Sequence, residues 1–238
     1  MSRDRPIVRR SWRRLLIASA DAPGDVVEAM WQDRESVMRQ AAMIKPGDRT
    51  TIVSPSDRAG RRYILKRSNL KGPLHTILHL LLRSRARWSW RNAARLETGG
   101  IATPRNLALL EERFGPVRLR SYLLSEIVPG EPLLDWTRSR GADDPDLARV
   151  AEAFGGLWNR LGELRLAHRD MKGSNFIVEK DCRIWLVDLD GMRRWPRGPL
   201  LARARNRDRA RFLRNWQDRP EVEALFRARI DRGGQRGG

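Results

Sequence analysis

The stretch His168-Arg169-Asp170-Met171-Lys172-Gly173-Ser174-Asn175, followed at once by the apolar run Phe176-Ile177-Val178, constrains this chain more than any other feature. It puts a carboxylate, a cation and a neutral amide oxygen on one short loop ahead of a strand. Those groups suit phosphoryl transfer, which asks little covalent help of a protein. It needs a carboxylate to orient an attacking hydroxyl, oxygen ligands for a metal ion, and positive charge for the moving phosphoryl. Asp170 fits the first role, Asn175 offers its amide oxygen to metal, and Lys172 reaches the phosphate as a point charge.

The loop fits the protein-kinase pattern H-R-D-x-x-x-x-N in every fixed place. A second piece, Ile184-Trp185-Leu186-Val187-Asp188-Leu189-Asp190, is an apolar strand ending in a carboxylate and resembles the metal-binding D-F-G. A hairpin between the two pieces brings Asn175 and Asp188 to one edge, where a hard cation needs oxygen ligands. Asp190 stands where the glycine of D-F-G would be and is a candidate second ligand. A third piece, Tyr63-Ile64-Leu65-Lys66, resembles the V-A-I-K strand, whose lysine contacts the α- and β-phosphates of ATP. On its own a strand ending in lysine is usually a solvated one; its place ahead of a helix and the HRD loop makes Lys66 the phosphate clamp.

The remaining nucleotide contacts are read from position. A phosphate-covering turn falls at Lys45-Pro46-Gly47-Asp48-Arg49-Thr50, with Gly47 and Arg49 as candidate contacts, although the full G-x-G-x-x-G is missing and a plain hairpin turn has the same sequence. Glu126, Ile127 and Val128 follow the strand Tyr122 to Ser125, where a hinge would present backbone to adenine. His168 and Arg169 brace the loop rather than react.

Turn chemistry divides the chain. Residues 1 to about 40 read as irregular to helical, with helical spacing over Val26 to Ala41. Strands follow at Ala42 to Lys45, Thr50 to Ser54 and Arg62 to Lys66. A helix covers about Leu74 to Thr98 and stops at Gly99-Gly100. Further strands lie near Asn106 to Glu111 and Val117 to Glu126. Asp143-Asp144-Pro145 caps a helix carrying Leu147, Val150, Ala151, Phe154, Leu157, Trp158 and Leu161. Phe176 to Val178 and Ile184 to Val187 make a hairpin, Leu200 to Ile230 an Arg-rich helix, and Gly233 to Gly238 a disordered tail. The expected architecture is α+β and two-lobed like a protein kinase: an N-terminal extension (1–41), an antiparallel β-rich N-lobe (42–126), a mostly helical C-lobe (127–232) and the tail (233–238).

Charge bears on partners. The chain has 48 basic and 29 acidic residues, a net charge of +19, and lysine only at positions 45, 66, 71, 172 and 180. That balance favours anionic partners without choosing among nucleic acid, an anionic membrane surface or a phosphorylated substrate, and an Arg-rich composition also suits a merely well-solvated surface. Tryptophans at 88, 90, 158, 185, 195 and 216 are read as packing residues. They lie on different elements and form no stacking platform, which argues against nucleic acid. His75 and His79 share a helix face but lack a third metal ligand. A single cysteine, Cys182, excludes an internal disulfide, and no apolar run is long enough to span a membrane; both readings point to the cytoplasm.

The order of these pieces, with Ser84-Arg85-Ala86-Arg87, Trp90-Arg91-Asn92, Gly100-Ile101-Ala102-Thr103-Pro104 and Ala167 to Val178, resembles the lipopolysaccharide kinase (Kdo/WaaP) family over about Ala42 to Trp216. The resemblance implies a protein-kinase-like fold, ATP with Mg²⁺ or Mn²⁺ as cofactors, and phosphorylation of a lipopolysaccharide inner-core sugar at the cytoplasmic face of the inner membrane. A phosphorylated or anionic glycolipid would then be the acceptor, with peripheral contact to the anionic bilayer. One departure stands out: where the family tends to place the helix glutamate that pairs with the strand lysine, this chain has Ser89, and Glu97 is the nearest substitute. Two rivals remain at this stage. One is an atypical serine/threonine protein kinase, suggested by Lys172 two residues after Asp170 but lacking an A-P-E segment. The other is a non-catalytic pseudokinase or basic binding module, suggested by Ser89 and the charge.

Overall fold

The computed structural model describes residues 6–48, 50–69, 84–115 and 117–234. Arg49, the helical stretch expected from Leu74 to Leu82 with His75 and His79, and residues 235–238 of the expected tail lie outside them. The chain divides into two compact units, Met1–Arg91 with Pro104–Ile127, and Asn92–Thr103 with Val128–Gly238.

The first unit is built on β1 (Ile7–Arg10), β2 (Arg14–Ala18), β3 (Ala42–Lys45), β4 (Thr50–Ser54), β5 (Tyr63–Ser68), β6 (Asn106–Phe114) and β7 (Val117–Glu126). Among the described residues they form one seven-stranded sheet in the order β1-β2-β6-β7-β5-β4-β3. Every neighbouring pair is antiparallel. Helix α1 (Gly24–Gln40) covers one face, where Val26, Val27, Met30 and Met38 pack on Leu16, Leu65, Ala108, Leu110, Tyr122 and Leu124. The other face takes the first turns of α2 (Arg85–Thr98), with Ala86 and Trp90 against Ile17, Leu109 and Leu123.

Cover on both faces explains where the expectation for residues 1 to about 40 fails. Leu15, Leu16 and Ala18 are all buried, so β2 shows none of the alternation that marks a one-sided strand, and its sequence resembles a short apolar patch. The stretch 1–41 therefore supplies β1, β2 and α1 to the sheet and its core. The helix expected over Val26 to Ala41 is broken at Asp33 (φ −144°, ψ 80°), whose carboxylate accepts from the Ser36 N–H at 3.0 Å and caps the second half.

A buried carboxylate ties α2 to the sheet. Glu111 on β6 is inaccessible to solvent and accepts from Ser84 Oγ at 2.5 Å and Arg113 at 2.5 Å, with Arg87 of α2 also paired to it. Burial pushes the Glu111 carboxyl up, but the Arg113 and Ser84 donors and the Arg87 charge outweigh it and hold the group below its usual range.

The second unit contains β8 (Glu131–Pro132), α3 (Leu133–Arg138), α4 (Pro145–Glu163), β9 (Leu166–Ala167), β10 (Phe176–Val178), β11 (Ile184–Leu186), β12 (Arg193–Arg194), α5 (Pro199–Leu213) and α6 (Pro220–Gly234). Helix α4 begins as its sequence dictates: the Asp144 side chain accepts from the Asp146 N–H at 2.8 Å with Pro145 in the first turn. Its apolar stripe enters an aromatic core in which Phe154 stacks on Phe212 (3.8 Å) and Trp216 on Phe226 (4.6 Å). The single helix expected over Leu200 to Ile230 is two helices. A 3₁₀ turn, Arg214–Trp216, intervenes, and Pro220 opens α6 because it has no N–H to continue the preceding turn. Gly233 and Gly234, expected in the tail, close α6.

Because the Glu111 carboxyl sits below its ordinary range, its stabilising effect is fully present above that range and is lost as pH falls from it through the lower folded-state value. Glu111→Gln should cost on the order of 3 kcal/mol at neutral pH and flatten this acid limb of the unfolding curve. Thermal unfolding from neutral to acidic pH tests it; a variant with the wild-type slope would contradict this role for Glu111.

Candidate active site

The loop His168 to Asn175 leaves α4 through β9 and is held by its backbone. Asp208 on α5 accepts from the His168 N–H at 2.6 Å and the Arg169 N–H at 2.8 Å. It is the only acidic residue of that helix and is buried. Burial pushes its carboxyl above the usual range, against the pull of the two N–H donors. Arg169 takes a left-handed backbone (φ 70°), a conformation that costs a non-glycine residue about 1–3 kcal/mol unless its surroundings enforce it. The paired N–H bonds to Asp208 supply that enforcement. His168 is buried and its Nε2 lies 3.2 Å from the Val187 carbonyl, which can only accept, so Nε2 carries the proton.

Asp170 itself is half-exposed. The Lys172 ammonium lies 2.9 Å from Asp170 Oδ2, and Arg211 Nε of α5 lies 3.5 Å from Oδ1. A carboxylate can receive a hydroxyl proton, and cations of this kind are what a transferring phosphoryl group needs beside it. Asn175 closes a 3₁₀ turn, Gly173–Asn175, and is buried. Its Nδ2 donates to the Asp170 carbonyl at 2.8 Å, which orients the amide and leaves Oδ1 as its acceptor end. Gly173 is needed for closeness: a Cβ there would come within 2.6 Å of the Leu134 side chain.

The hairpin expected between Asn175 and Asp188 forms. β10 pairs with β11 antiparallel, Phe176 opposite Leu186, and the Val187 N–H donates to the Asn175 carbonyl at 2.9 Å, so the register carries Asn175 to the residue beside Asp188. Asp188 adopts φ 59°, ψ 58°, a second left-handed non-glycine residue on this loop pair. Oxygen donors from Asn175 and Asp188 fit a hard divalent cation that completes its shell with phosphate and water. Among the described residues no three His, Cys, Asp or Glu side chains cluster as a ready-made protein cage. Asp190 is buried, and its carbonyl accepts from Arg193 at 2.8 Å.

Three residues without a site role in the sequence reading emerge. Asp208 and Arg211 come from α5, distant in sequence; the visible signal was a lone acid in an arginine-rich helix. Asn92 is fully buried and donates to the Leu189 carbonyl at 2.9 Å and the Met192 carbonyl at 3.1 Å, fixing the turn after Asp188. The segment Ile101 to Thr103 runs beside β11: the Leu186 N–H donates to the Ala102 carbonyl at 2.9 Å, and Thr103 Oγ1 donates to the Leu186 carbonyl at 2.8 Å.

In the first unit, Lys66 pairs with Leu123 across β5 and β7 and so shares the sheet face on which α2 lies. Gly47 sits in a tight turn where a Cβ would come within 2.8 Å of the Thr50 carbonyl, and its own carbonyl accepts from Asn69 at 3.1 Å. Glu126 exchanges bonds with Arg105, its carboxylate accepting from the Arg105 N–H at 2.9 Å and its N–H donating to the Arg105 carbonyl at 3.1 Å. Val128 belongs to the second unit. Ser89 is buried, and its carbonyl accepts from Asn106.

An antiparallel sheet flanked by α1 and α2, a helical unit carrying the HRD loop, and an aspartate in left-handed conformation after the next hairpin define the protein-kinase-like α+β fold. The sequence profile of the lipopolysaccharide kinase (Kdo/WaaP) family matches residues 28–228, and the chain belongs to that family. The solved structure of WaaP in complex with acyl carrier protein shares the fold with a TM-score of 0.62, covering 91% of this chain and 88% of that one at 21% identity. A 3-deoxy-D-manno-octulosonic acid kinase of Photobacterium profundum is 27% identical over 95 residues, 40% of this chain and 39% of that relative's length. Among the described residues no helix is long and apolar enough to cross a membrane.

Asp208→Ala would strand the buried His168 N–H, at a cost of roughly 1–3 kcal/mol, and release the part-buried Arg169 N–H at a smaller one. It should lower the unfolding temperature and speed hydrogen exchange at the His168 and Arg169 amides by at least about tenfold. Unchanged exchange at those two amides would contradict the bracing role.

Proposed function

We propose that this protein transfers the γ-phosphoryl of ATP to a hydroxyl of a lipopolysaccharide inner-core sugar, 3-deoxy-D-manno-octulosonic acid or a heptose. The observation that carries the reading is the Asp170 carboxylate set between Lys172 and Arg211 on a loop pinned by Asp208. Family membership and the relative named for the octulosonic acid support the choice of sugar.

In this mechanism Asp170 accepts a hydrogen bond from the acceptor hydroxyl, aligns its oxygen with the γ-phosphorus and takes up the proton as the new P–O bond forms. The bond from the γ-phosphorus to the β–γ bridging oxygen breaks, and ADP leaves with that oxygen. Lys172 stabilises charge on the moving phosphoryl, with Arg211 as a second cation beside Asp170. Asn175 Oδ1 and the Asp188 carboxylate would hold Mg²⁺ or Mn²⁺, which when bound neutralises phosphate charge. Lys66 is assigned the α- and β-phosphates, and the stretch Glu126 to Val128 the adenine, by their places in the strand order. Gly47 and Arg49 belong to the turn assigned to cover the phosphates. The acceptor is an anionic glycolipid, which the basic surface suits.

Asp170→Asn should lower phosphate transfer to purified inner-core glycolipid by a factor of about 10²–10⁴ while leaving ATP affinity within roughly twofold. Turnover is followed by label transfer and binding by ATP-induced thermal shift. A variant retaining full turnover would remove Asp170 from its role. Asp188→Asn should instead abolish the metal dependence of the ATP-induced shift; a shift that keeps the wild-type metal dependence would remove Asp188 from the metal site.

A further inference from the structure

Two neighbouring hairpin tips at one end of the first unit's sheet each expose a large aromatic ring. The β1–β2 turn is closed by the Ser11 N–H donating to the Arg14 carbonyl at 2.8 Å, which leaves Trp12 and Arg13 at its apex. Its neighbour in the sheet, the β6–β7 hairpin, carries Phe114 and Gly115 at its own tip. The two are locked together: Arg14 pairs with Glu112 across β2 and β6, and the Arg113 N–H donates to the Arg13 carbonyl at 2.8 Å. The Trp12 ring lies against the second tip, 3.4 Å from where a Cβ on Gly115 would stand. Even so, Trp12 is 71% exposed and Phe114 63% exposed. Rings of this size are normally removed from water, and a pair set on rigid hairpins marks a contact surface.

The charge around them has one sign. Arg9, Arg10, Arg13 and Arg14 flank Trp12 in the sequence with no acid between residues 7 and 14, and Arg113 precedes Phe114, with Arg118 opposite Arg113 across β6 and β7. The nearby acids are already engaged, Glu28 by Arg9, Glu112 by Arg34 and buried Glu111 by Arg87 and Arg113. Exposed Arg10 and Arg13 give the rim its positive charge. Aromatic rings on a convex tip, ringed by arginine, match a bilayer interface: the rings enter the headgroup–acyl boundary and the guanidinium groups meet lipid phosphates. A single-stranded nucleic acid would instead ask for a groove with successive stacking rings, and two convex turns do not form one.

We infer that the Trp12–Phe114 tips with Arg10 and Arg13 dock this protein on an anionic lipid bilayer. The inference rests on the kinase reading above for its purpose, delivery of the site to a membrane-embedded glycolipid. The full-length protein is sedimented with sucrose-loaded vesicles of phosphatidylglycerol and phosphatidylethanolamine, and with neutral phosphatidylcholine vesicles, at low and high salt. Wild type should bind the anionic vesicles selectively and release at high salt. Trp12→Ala with Phe114→Ala should weaken binding at least about tenfold, and Arg10→Ala with Arg13→Ala roughly thirtyfold. Both variants should keep wild-type turnover on a soluble, delipidated core oligosaccharide, which also shows that they fold. The binding assay contains neither ATP nor acceptor, so failure of the kinase reading shows separately, as absent wild-type turnover on that soluble acceptor. Equal binding by wild type and variants, no preference for anionic vesicles, or self-association or oligonucleotide capture through these residues in place of vesicle binding would each overturn the docking assignment.

Discussion

The buried carboxylate of Asp208, gripping the consecutive N–H groups of His168 and Arg169, is the constraint on which the candidate site depends. A left-handed arginine does not hold its shape unaided, and the conformation would relax if those two donors could turn to water. With the pair fixed, Asp170 leaves the turn in a set direction. Its carbonyl then receives the Asn175 amide, and Asn175 in turn receives Val187, so one chain of hydrogen bonds runs from α5 through the loop into the hairpin that ends at Asp188.

That arrangement separates rigidity from reactivity. The groups that brace the loop, His168, Asn175, Asn92 and Asp208, are buried and each is hydrogen-bonded to backbone. The groups assigned to chemistry, Asp170, Lys172 and Arg211, remain accessible and pair with one another. A phosphotransferase needs this division, because its rate comes from electrostatic preorganisation and a mobile carboxylate would have to be reordered at each turnover.

Much of this was legible in the sequence because it is local. The HRD loop, the apolar runs on either side of the 179–183 turn, and the Asp144-Pro145 cap each announce themselves within a few residues, and the helix and hairpin they imply are present. The unread parts are non-local or two-sided. Asp208 is forty residues from the amide it holds and sits in a helix whose arginines dominate the pattern. β2 is buried on both faces, so the alternation that would have disclosed it is absent, and β1, an exposed edge strand, carries no apolar stripe at all. The break in α1 at Asp33 and the restart at Pro220 were visible as residues that cap or begin helices, and were masked by apolar spacing that continues across them.

The central proposal is that this protein phosphorylates the inner core of lipopolysaccharide. Mass analysis of envelope glycolipid from cells that encode the protein, with and without its gene, tests that most directly. The account predicts a core lighter by one phosphate when the gene is removed, restored by the wild-type gene. Identical glycolipid masses in the two strains would contradict it.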